Sequence, residues 1–269
     1  MTLVYFNINK KYAGNENYFF KKDWPIHVIK KKREGLKIKK SNILGIIPAR
    51  GGSKGIPNKN IHPLRNKPLI SYTIEASLKS TLLTDVVVST DSELIKKVAE
   101  DYGAKVPFLR PENLSGDLAL AIPTIQHALL SYEKIKNITY DFVIMLQPTA
   151  PLRSDEDIDN SLKLLLNENI DSVISVVDVD NFHPMKMKVI KHDLLEDYDR
   201  PPTENPPRQT LPDVYIVNGA IYATKRNILM EDSSFRGDKC KPYIMPRNRS
   251  VNIDNIEDFI VAEYFLSNK

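Results

Sequence analysis

The 269-residue chain is poor in several features, and each shortage excludes a class of protein. Cys240 is the single cysteine, which excludes an internal disulfide and a cysteine-rich metal cluster. No apolar run reaches the ~18 residues that a membrane span needs. The N-terminus also has no apolar core followed by a small-residue cleavage site. We therefore predict a cytoplasmic protein without a membrane span.

Positive charge is concentrated near the N-terminus. The formal net charge is +4, but residues 1–42 carry 11 Lys and Arg against three acidic residues, and the remainder has 27 basic and 31 acidic residues. We predict a basic N-terminal extension over residues 1–42, followed by one domain over residues 43–269. The extension is either solvated and partly disordered or a contact surface for an anionic partner. The acidic domain shows no basic face, which argues against nucleic acid as a partner.

Segments of strand and helix character alternate through residues 43–266. The patterns predict strands at 43–47, 85–89, 141–146, 173–177, 215–223 and 250–253, and helices at 69–80, 92–102, 120–132, 155–167 and 256–266. This order is typical of an α/β protein with a doubly wound, mostly parallel sheet. Residues 182–212 contain six prolines, which predicts a flap or an arm that packs on a second subunit.

A glycine-rich turn with several cations follows the first predicted strand. Residues 43–60 read ILGIIPARGGSKGIPNKN, and glycines let backbone N–H groups converge on an anion. The glycines are Gly51, Gly52 and Gly55, and the cations are Arg50, Lys54 and Lys59. This charge suits a triphosphate better than a carboxylate and favours a nucleotide ligand. The spacing matches neither GxxxxGK[ST] nor GxGxxG, and a tight turn with solvated cations is the alternative.

Further segments, read together with this turn, carry a family resemblance. They are PLI at 68–70, VSTD at 88–91, LQPTAPLR at 146–153, RQ at 208–209, NGAIY at 218–222 and NID at 252–254. In this order they resemble the acylneuraminate cytidylyltransferases, which are the CMP-sialic, legionaminic and pseudaminic acid synthetases. The resemblance covers residues 43–266. It implies a nucleotidyltransferase (Rossmann-like) sheet with a small dimerisation arm, a homodimer, and transfer of CMP from CTP to a nonulosonic acid with release of pyrophosphate.

The motif positions also predict where the site lies. In open α/β sheets, ligands bind outside the carboxyl ends of the strands, and these motifs follow predicted strands. Chain order alone therefore gathers the turn at 50–54, Asp91, Gln147 and Asp254 around one crevice. Chain order thus predicts where the site lies but not which substrate it binds.

The resemblance implies two groups of binding residues. Those that hold CTP are Arg50, Gly51, Gly52, Ser53, Lys54, Lys59, Asn60 and Arg110, and those that meet the acidic sugar are Gln147, Lys186, Arg208 and Tyr222. Lys54 and Asp254 are the implied catalytic residues. Simpler roles remain open, since Arg110 could be a solvated turn residue, Gln147 could satisfy backbone at a strand end, and Tyr222 could pack in the core.

Asn252 and Asp254 are the implied ligands of a Mg²⁺ cofactor. The family holds its metal with Asp-x-Asp at this position, and alternation along a strand would put both side chains on one face. Asn252 keeps an oxygen ligand but removes a negative charge, so we expect weaker metal binding. The alternatives are a surface position in a changed loop for Asn252 and a helix N-cap for Asp254.

Two other functions compete with the nonulosonate cytidylyltransferase. The Kdo cytidylyltransferases resemble the chain less, because they have an acidic Gly-Asp-Glu-Pro where this sequence has Gln147-Pro148-Thr149. A non-catalytic nucleotide- or sugar-binding relative is the second alternative, because Asn252 replaces a metal-binding carboxylate.

Overall fold

The computed structural model describes residues 41–53, 55–166, 169–201, 203–204 and 206–268. The predicted extension over residues 1–42 lies almost wholly outside the described residues, and so does Lys54. The statements about the extension and about Lys54 therefore stay predictions.

Strands and helices alternate along most of the described chain. The strands are β1 (Ile43–Pro48), β2 (Pro63–Leu64), β3 (Lys67–Pro68), β4 (Asp85–Ser89), β5 (Phe142–Met145), β6 (Ser172–Asp178), β7 (Lys188–Lys191), β8 (Leu194–Asp197), β9 (Tyr215–Lys225) and β10 (Cys240–Ile244). The helices are α1 (Leu69–Lys79), α2 (Glu93–Asp101), α3 (Ala121–Lys136), α4 (Asp155–Leu165), α5 (Arg226–Glu231) and α6 (Ile256–Ser267). No helix of the described residues is both long and apolar enough to cross a membrane.

A six-stranded sheet in the order β10-β6-β9-β5-β1-β4 forms the centre of the fold. Strand β1 pairs in parallel with both β4 and β5, and β10 pairs in parallel with β6. Strand β9 alone of these six runs antiparallel, between β5 and β6. The mostly parallel α/β sheet predicted from the sequence is confirmed.

Helices cover both faces of this sheet. Ile43 and Ile47 of β1 pack into one apolar cluster with α1, α2 and α4, and Leu44 and Ile46 pack into a second cluster with α3 and α5. Successive side chains of a strand point to opposite faces, so a strand buried on both faces needs a continuous apolar run. The run at 43–47 meets that requirement.

Polar side chains cap the starts of three helices. The Ser92 hydroxyl accepts from the Ile95 N–H at the start of α2, and Ser154 forms a capping box with Asp157 at the start of α4. Helix α6 is capped by Asn255. The alternative that Asp254 is the N-cap of α6 is therefore wrong.

The predicted strand at 250–253 is also wrong. A 3₁₀ turn at Arg247–Arg249 precedes this segment, and the Ile253 N–H donates to the Thr149 carbonyl, 2.7 Å away, in a loop. The last strand of the sheet is instead β10, whose run CKPYI contains Pro242. Proline is tolerated in an edge strand, and β10 pairs with β6 alone among the sheet strands.

The proline-rich segment at 182–212 contains a small hairpin separate from the main sheet. Strands β7 and β8 pair antiparallel around a two-residue turn in which His192 and Asp193 have φ of 50° and 61°. Positive φ at both positions is typical of a type I′ turn. This hairpin is the structural counterpart of the predicted arm, and its contact with a second subunit stays a prediction.

Candidate active site

A cleft of about 600 Å³ opens at the carboxyl ends of β1 and β5. Most of the residues named from the sequence as nucleotide or metal ligands line it. Its lining includes Arg50, Ser53, Lys59, Asn60, Arg110, Gln147, Asn252 and Asp254, together with Ala119 and Thr149. Arg50, Gln147 and Asp254, which chain order predicts at one crevice, therefore line one cleft.

The glycine turn is held against the start of α2. The Gly51 N–H donates to Asp91 Oδ1 at 2.9 Å, and a Cβ on Gly51 would lie 3.1 Å from the Cβ of Ser92. The Gly51 amide is thus already bonded, whereas a Cβ on Gly52 would meet no atom within 4 Å. The turn leaves the Gly52 backbone open to a ligand and uses Gly51 to fix its own shape.

Arg50 lies on the rim of the cleft and is paired. Its Nη1 lies 2.6 Å from Asp117 Oδ1, and about a third of each side chain is exposed. Asn60, which is buried, donates from Nδ2 to the Arg50 carbonyl at 2.9 Å. Asn60 therefore holds the backbone of Arg50 in place.

Arg110 is a buried cation in the cleft wall. Its side chain donates to the Ser89 hydroxyl at 3.2 Å and to the Ser89 carbonyl. Burial lowers the pKa of Arg110 to about 10, while nearby Asp91 favours the charged form. Among the described residues no carboxylate forms an ion pair with Arg110, so the guanidinium presents a desolvated charge to an anion. This position rules out the solvated-turn alternative.

Asp254 also lines the cleft, and both of its oxygens are engaged. Lys59 Nζ lies 3.2 Å from Asp254 Oδ1, and the same ammonium donates to the Ile253 carbonyl at 2.9 Å. Asn252 Nδ2 donates to Asp254 Oδ2 at 3.2 Å. Asn252 and Asp254 thus meet without a strand, because buried Ile253 anchors the loop between them.

Gly219 in β9 lies against two residues that line the cleft, Gln147 and Asn252, and the sequence did not predict it as a site residue. It has φ of 76°, and a Cβ there would lie 2.9 Å from Gln147 Oε1 and 3.2 Å from Asn252 Oδ1. Two amide side chains therefore close onto a position that only glycine can occupy without strain. A glycine inside a strand pattern was the available signal for such a close approach.

The remaining sugar-site candidates lie away from the cleft. Tyr222 packs beside Phe235, with ring centroids 5.8 Å apart, and burial raises its pKa, which favours the core-packing alternative. Lys186 lines a separate cavity of about 650 Å³ beside the hairpin. Arg208 forms ion pairs with Asp178 and Asp180. Within one subunit the structure does not bring these three residues to Gln147.

The side-chain oxygens of Asp254 and Asn252 fit a magnesium ion that is coordinated jointly by the protein and by a nucleotide. The Asp254 side chain is 71% exposed, and Asn252 Oδ1 is buried without a hydrogen-bond partner. The described residues contain no cluster of three or more His, Cys, Asp or Glu that could hold a metal alone. Because an amide can turn over to exchange its O and N, Asn252 can bring its oxygen to Asp254. Phosphate oxygens and water would complete the shell.

The fold and the cleft define an α/β nucleotidyltransferase-like protein. A solved structure of CMP:2-keto-3-deoxy-manno-octonic acid synthetase, in complex with CTP, aligns with a TM-score of 0.63 at 16% identity, covering 85% of this chain and 99% of that one. At this identity the likeness shows the fold alone.

The chain belongs to the cytidylyltransferase family, whose model matches residues 44–268. It is 35% identical over 229 residues to CMP-N,N'-diacetyllegionaminic acid synthase of Legionella pneumophila, covering 82% of this chain and 94% of that protein. It is also 35% identical over 222 residues to pseudaminic acid cytidylyltransferase of Campylobacter jejuni, covering 82% and 94%. The predicted family is therefore confirmed.

Proposed function

We propose that the protein transfers CMP from CTP to a nonulosonic acid and releases pyrophosphate. The relatives at about one-third identity are named for legionaminic and pseudaminic acids. The observation that carries the proposal is one cleft lined by Arg50, Lys59, Arg110 and Asp254. Three cations and a carboxylate in one cleft suit a polyphosphate bound through a divalent metal.

The cations bind and orient the nucleotide. A sugar hydroxyl attacks the α-phosphorus and pyrophosphate leaves in line, so negative charge must be neutralised on both sides of the transferred group. Arg110 is fixed by Ser89 and provides a rigid donor, whereas Arg50 and Lys59 exchange their exposed carboxylate partners for phosphate. Lys54 belongs to the same turn and is proposed to contact the phosphates there.

Asp254 and Asn252 are the proposed holders of Mg²⁺. When bound, the ion neutralises phosphate charge and aligns the triphosphate. Asp254 contributes the one carboxylate and Asn252 an uncharged oxygen, while Lys59 bonds the Ile253 carbonyl beside them. The chain thereby keeps one formal negative charge where the family pattern has two.

The sugar is proposed to bind on the β5–β9 side of the cleft, next to Gln147. Lys186 and Arg208 lie near the hairpin of the same subunit, so their proposed contact with the sugar requires the arm of a second subunit. Exposed apolar side chains near the arm, including Phe182, Ile190 and Leu195, support a homodimer as the proposed assembly. We also propose that the enzyme acts in the cytoplasm.

A substrate panel tests this function. CTP and Mg²⁺ are incubated with N-acetylneuraminic, legionaminic, pseudaminic or Kdo-type acids, and pyrophosphate and CMP-sugar are measured. We expect product with at least one nine-carbon acid and none without Mg²⁺. Product with Kdo alone would favour the Kdo-type alternative. CTP binding without turnover on any acid would favour the non-catalytic relative.

A further inference from the structure

Arg153 is a buried arginine directly behind the cleft, with no role in the site described so far. Its side chain is 3% exposed. Nη1 donates to the Ala220 carbonyl at 2.7 Å and to the Gln147 carbonyl at 3.3 Å, and Nη2 donates to Thr73 Oγ1 at 2.7 Å. The Thr73 hydroxyl in turn lies 3.4 Å from the Gln147 carbonyl. One guanidinium thus joins β5, β9 and α1.

This cation is not explained by stability alone. Burial lowers the pKa of Arg153 to about 9, although Asp157 favours the charged form, and Nε has no hydrogen-bond partner. The Asp157 carboxylate forms its hydrogen bonds with Arg249, with Tyr243 and within the cap of α4, and not with Arg153. Apolar residues often replace buried ionic groups without loss of stability, so a buried charge here calls for a different reason.

We propose that Arg153 is a positioning residue for the acidic sugar. It holds the main chain of Gln147 at the end of β5 and the main chain of Ala220 just after Gly219. These two main-chain positions flank the place where the Gln147 and Asn252 side chains approach Gly219. We refer to Gln147, Gly219 and Asn252 together as the wall. By fixing their separation, Arg153 fixes the wall against which the sugar is aligned. The inference rests on the function proposed above.

The sheet order explains why the sugar, and not CTP, depends on this network. The described phosphate-facing residues are Arg50 and Lys59, which follow β1, and Arg110, which follows α2 and bonds to Ser89 and Thr90 at the end of β4; none of them bonds to Arg153. The network of Arg153 instead spans β5 and β9, on the other side of β1. A displaced wall therefore misplaces the attacking hydroxyl while leaving the nucleotide contacts in place.

Arg153→Met and Arg153→Lys test the proposal through the two Michaelis constants. For Arg153→Met we expect the KM for the acidic sugar to rise, or kcat to fall, by roughly 10- to 100-fold, because small misplacements have such effects. The KM for CTP stays within about twofold. Arg153→Lys should recover part of the loss, because an ammonium can donate to the carbonyls without reproducing the planar fork. A folded Arg153→Met enzyme with both KM values and kcat unchanged overturns the proposal.

A second variant keeps the test decisive if Arg153→Met does not fold. Thr73→Val removes the hydroxyl between Arg153 and the Gln147 carbonyl while conserving side-chain shape. Ser77→Ala is the matched control, because Ser77 is a buried hydroxyl one turn along α1 that bonds only to the Thr73 carbonyl among the described residues. We expect a sugar-specific defect in Thr73→Val and none in Ser77→Ala.

The outcomes separate this inference from the proposed function. Equal sugar kinetics in Thr73→Val and the active wild type overturn the role of Arg153 and leave the function standing. A wild type that forms no CMP-sugar with any acid overturns both.

Discussion

Replacing Asn252 by aspartate tests the metal assignment most directly. The variant restores two carboxylates at positions 252 and 254 where the chain has one. In the structure the Asn252 amide donates to Asp254 Oδ2 at 3.2 Å. Asn252→Asp replaces this attraction by repulsion in the metal-free protein and adds a full charge to the shell of a bound cation.

The size of both effects follows from the geometry. Two unit charges about 3–4 Å apart in a water-like environment repel by about 1 kcal/mol, and Asp254 is exposed enough to justify that environment. Adding a lost hydrogen bond of about 0.5–1 kcal/mol, the melting temperature should fall by roughly 3–8 °C in EDTA. With metal the added charge acts in the opposite sense. A gain of about 1.4 kcal/mol lowers the half-saturating Mg²⁺ concentration roughly tenfold.

The assay is pyrophosphate release titrated with Mg²⁺ at saturating CTP and sugar, together with thermal unfolding with and without Mg²⁺. Asn255→Asp is the matched control, since it adds the same charge nearby, outside the residues that line the cleft. Aspartate caps a helix as well as asparagine does, so α6 is preserved. We expect the control to leave the Mg²⁺ titration unchanged.

Asp254→Asn provides the opposite change. It removes the remaining formal negative charge of the Asn-Ile-Asp segment, so turnover should nearly disappear and the Mg²⁺ requirement should rise. If both the rate and the Mg²⁺ titration of Asp254→Asn match the wild type, the metal is bound elsewhere and the assignment is wrong.

Three further substitutions address the other parts of the site. Lys59→Ala should raise the KM for CTP roughly tenfold or more, because a charge-assisted hydrogen bond is lost. Replacement of the exposed Lys97 by alanine is the control. Unchanged CTP kinetics in Lys59→Ala would remove Lys59 from the nucleotide site. Arg208→Ala should raise the KM for the acidic sugar far more than that for CTP, since a bidentate carboxylate partner is lost, and a defect confined to CTP would reassign the residue. Gly219→Ala should destabilise the protein by about 1–2 kcal/mol in thermal unfolding, because the φ of 76° at this position is left-handed. It should also impair sugar kinetics, because the new Cβ displaces Gln147. Native stability together with native kinetics would refute the close approach.

Local chemistry made much of the fold predictable from the sequence. The buried run at 43–47 specified β1, and the pattern at 92–102 located α2. Glycine at 103 adopts φ of 86°, as a helix C-terminus often requires. Such signals depend on neighbouring residues alone, so a single sequence reveals them.

The errors came from features that depend on distant partners. Strand β10 was not predicted, and its Pro242 is tolerated because the strand lies at the sheet edge. The hairpin turn uses His192 and Asp193 at positive φ, without the Asn-Gly or Asp-Gly signature. The alternating pattern at 250–253 suggested a strand, but its backbone bonds to the loop at Thr149. Each outcome was decided by tertiary contacts.

The same distinction applies to the site. The order of the motifs along the chain predicted Gln147 and Asp254 at one edge of the sheet. It could not show that the Gly51 N–H donates to Asp91. Nor could it show that Tyr222 faces an apolar cluster, or that Arg208 pairs with carboxylates of its own subunit. Residue type indicates what a side chain can bind, and only the fold indicates which partner it meets.

The described cations of the cleft differ in what a phosphate must displace. Arg50 and Lys59 already have carboxylate partners, Asp117 and Asp254, and partly exposed pairs contribute about 0–1 kcal/mol each. Exchanging a carboxylate for phosphate therefore costs little, and the gain is the stronger charge-assisted bond to phosphate. Arg110 is different, because it is desolvated and has no carboxylate ion pair among the described residues, so an arriving phosphate replaces no competing anion. Arg110 should consequently contribute more electrostatic affinity for the nucleotide than either paired cation, while the partly exposed Arg50 affects the approach of the anion and its salt dependence.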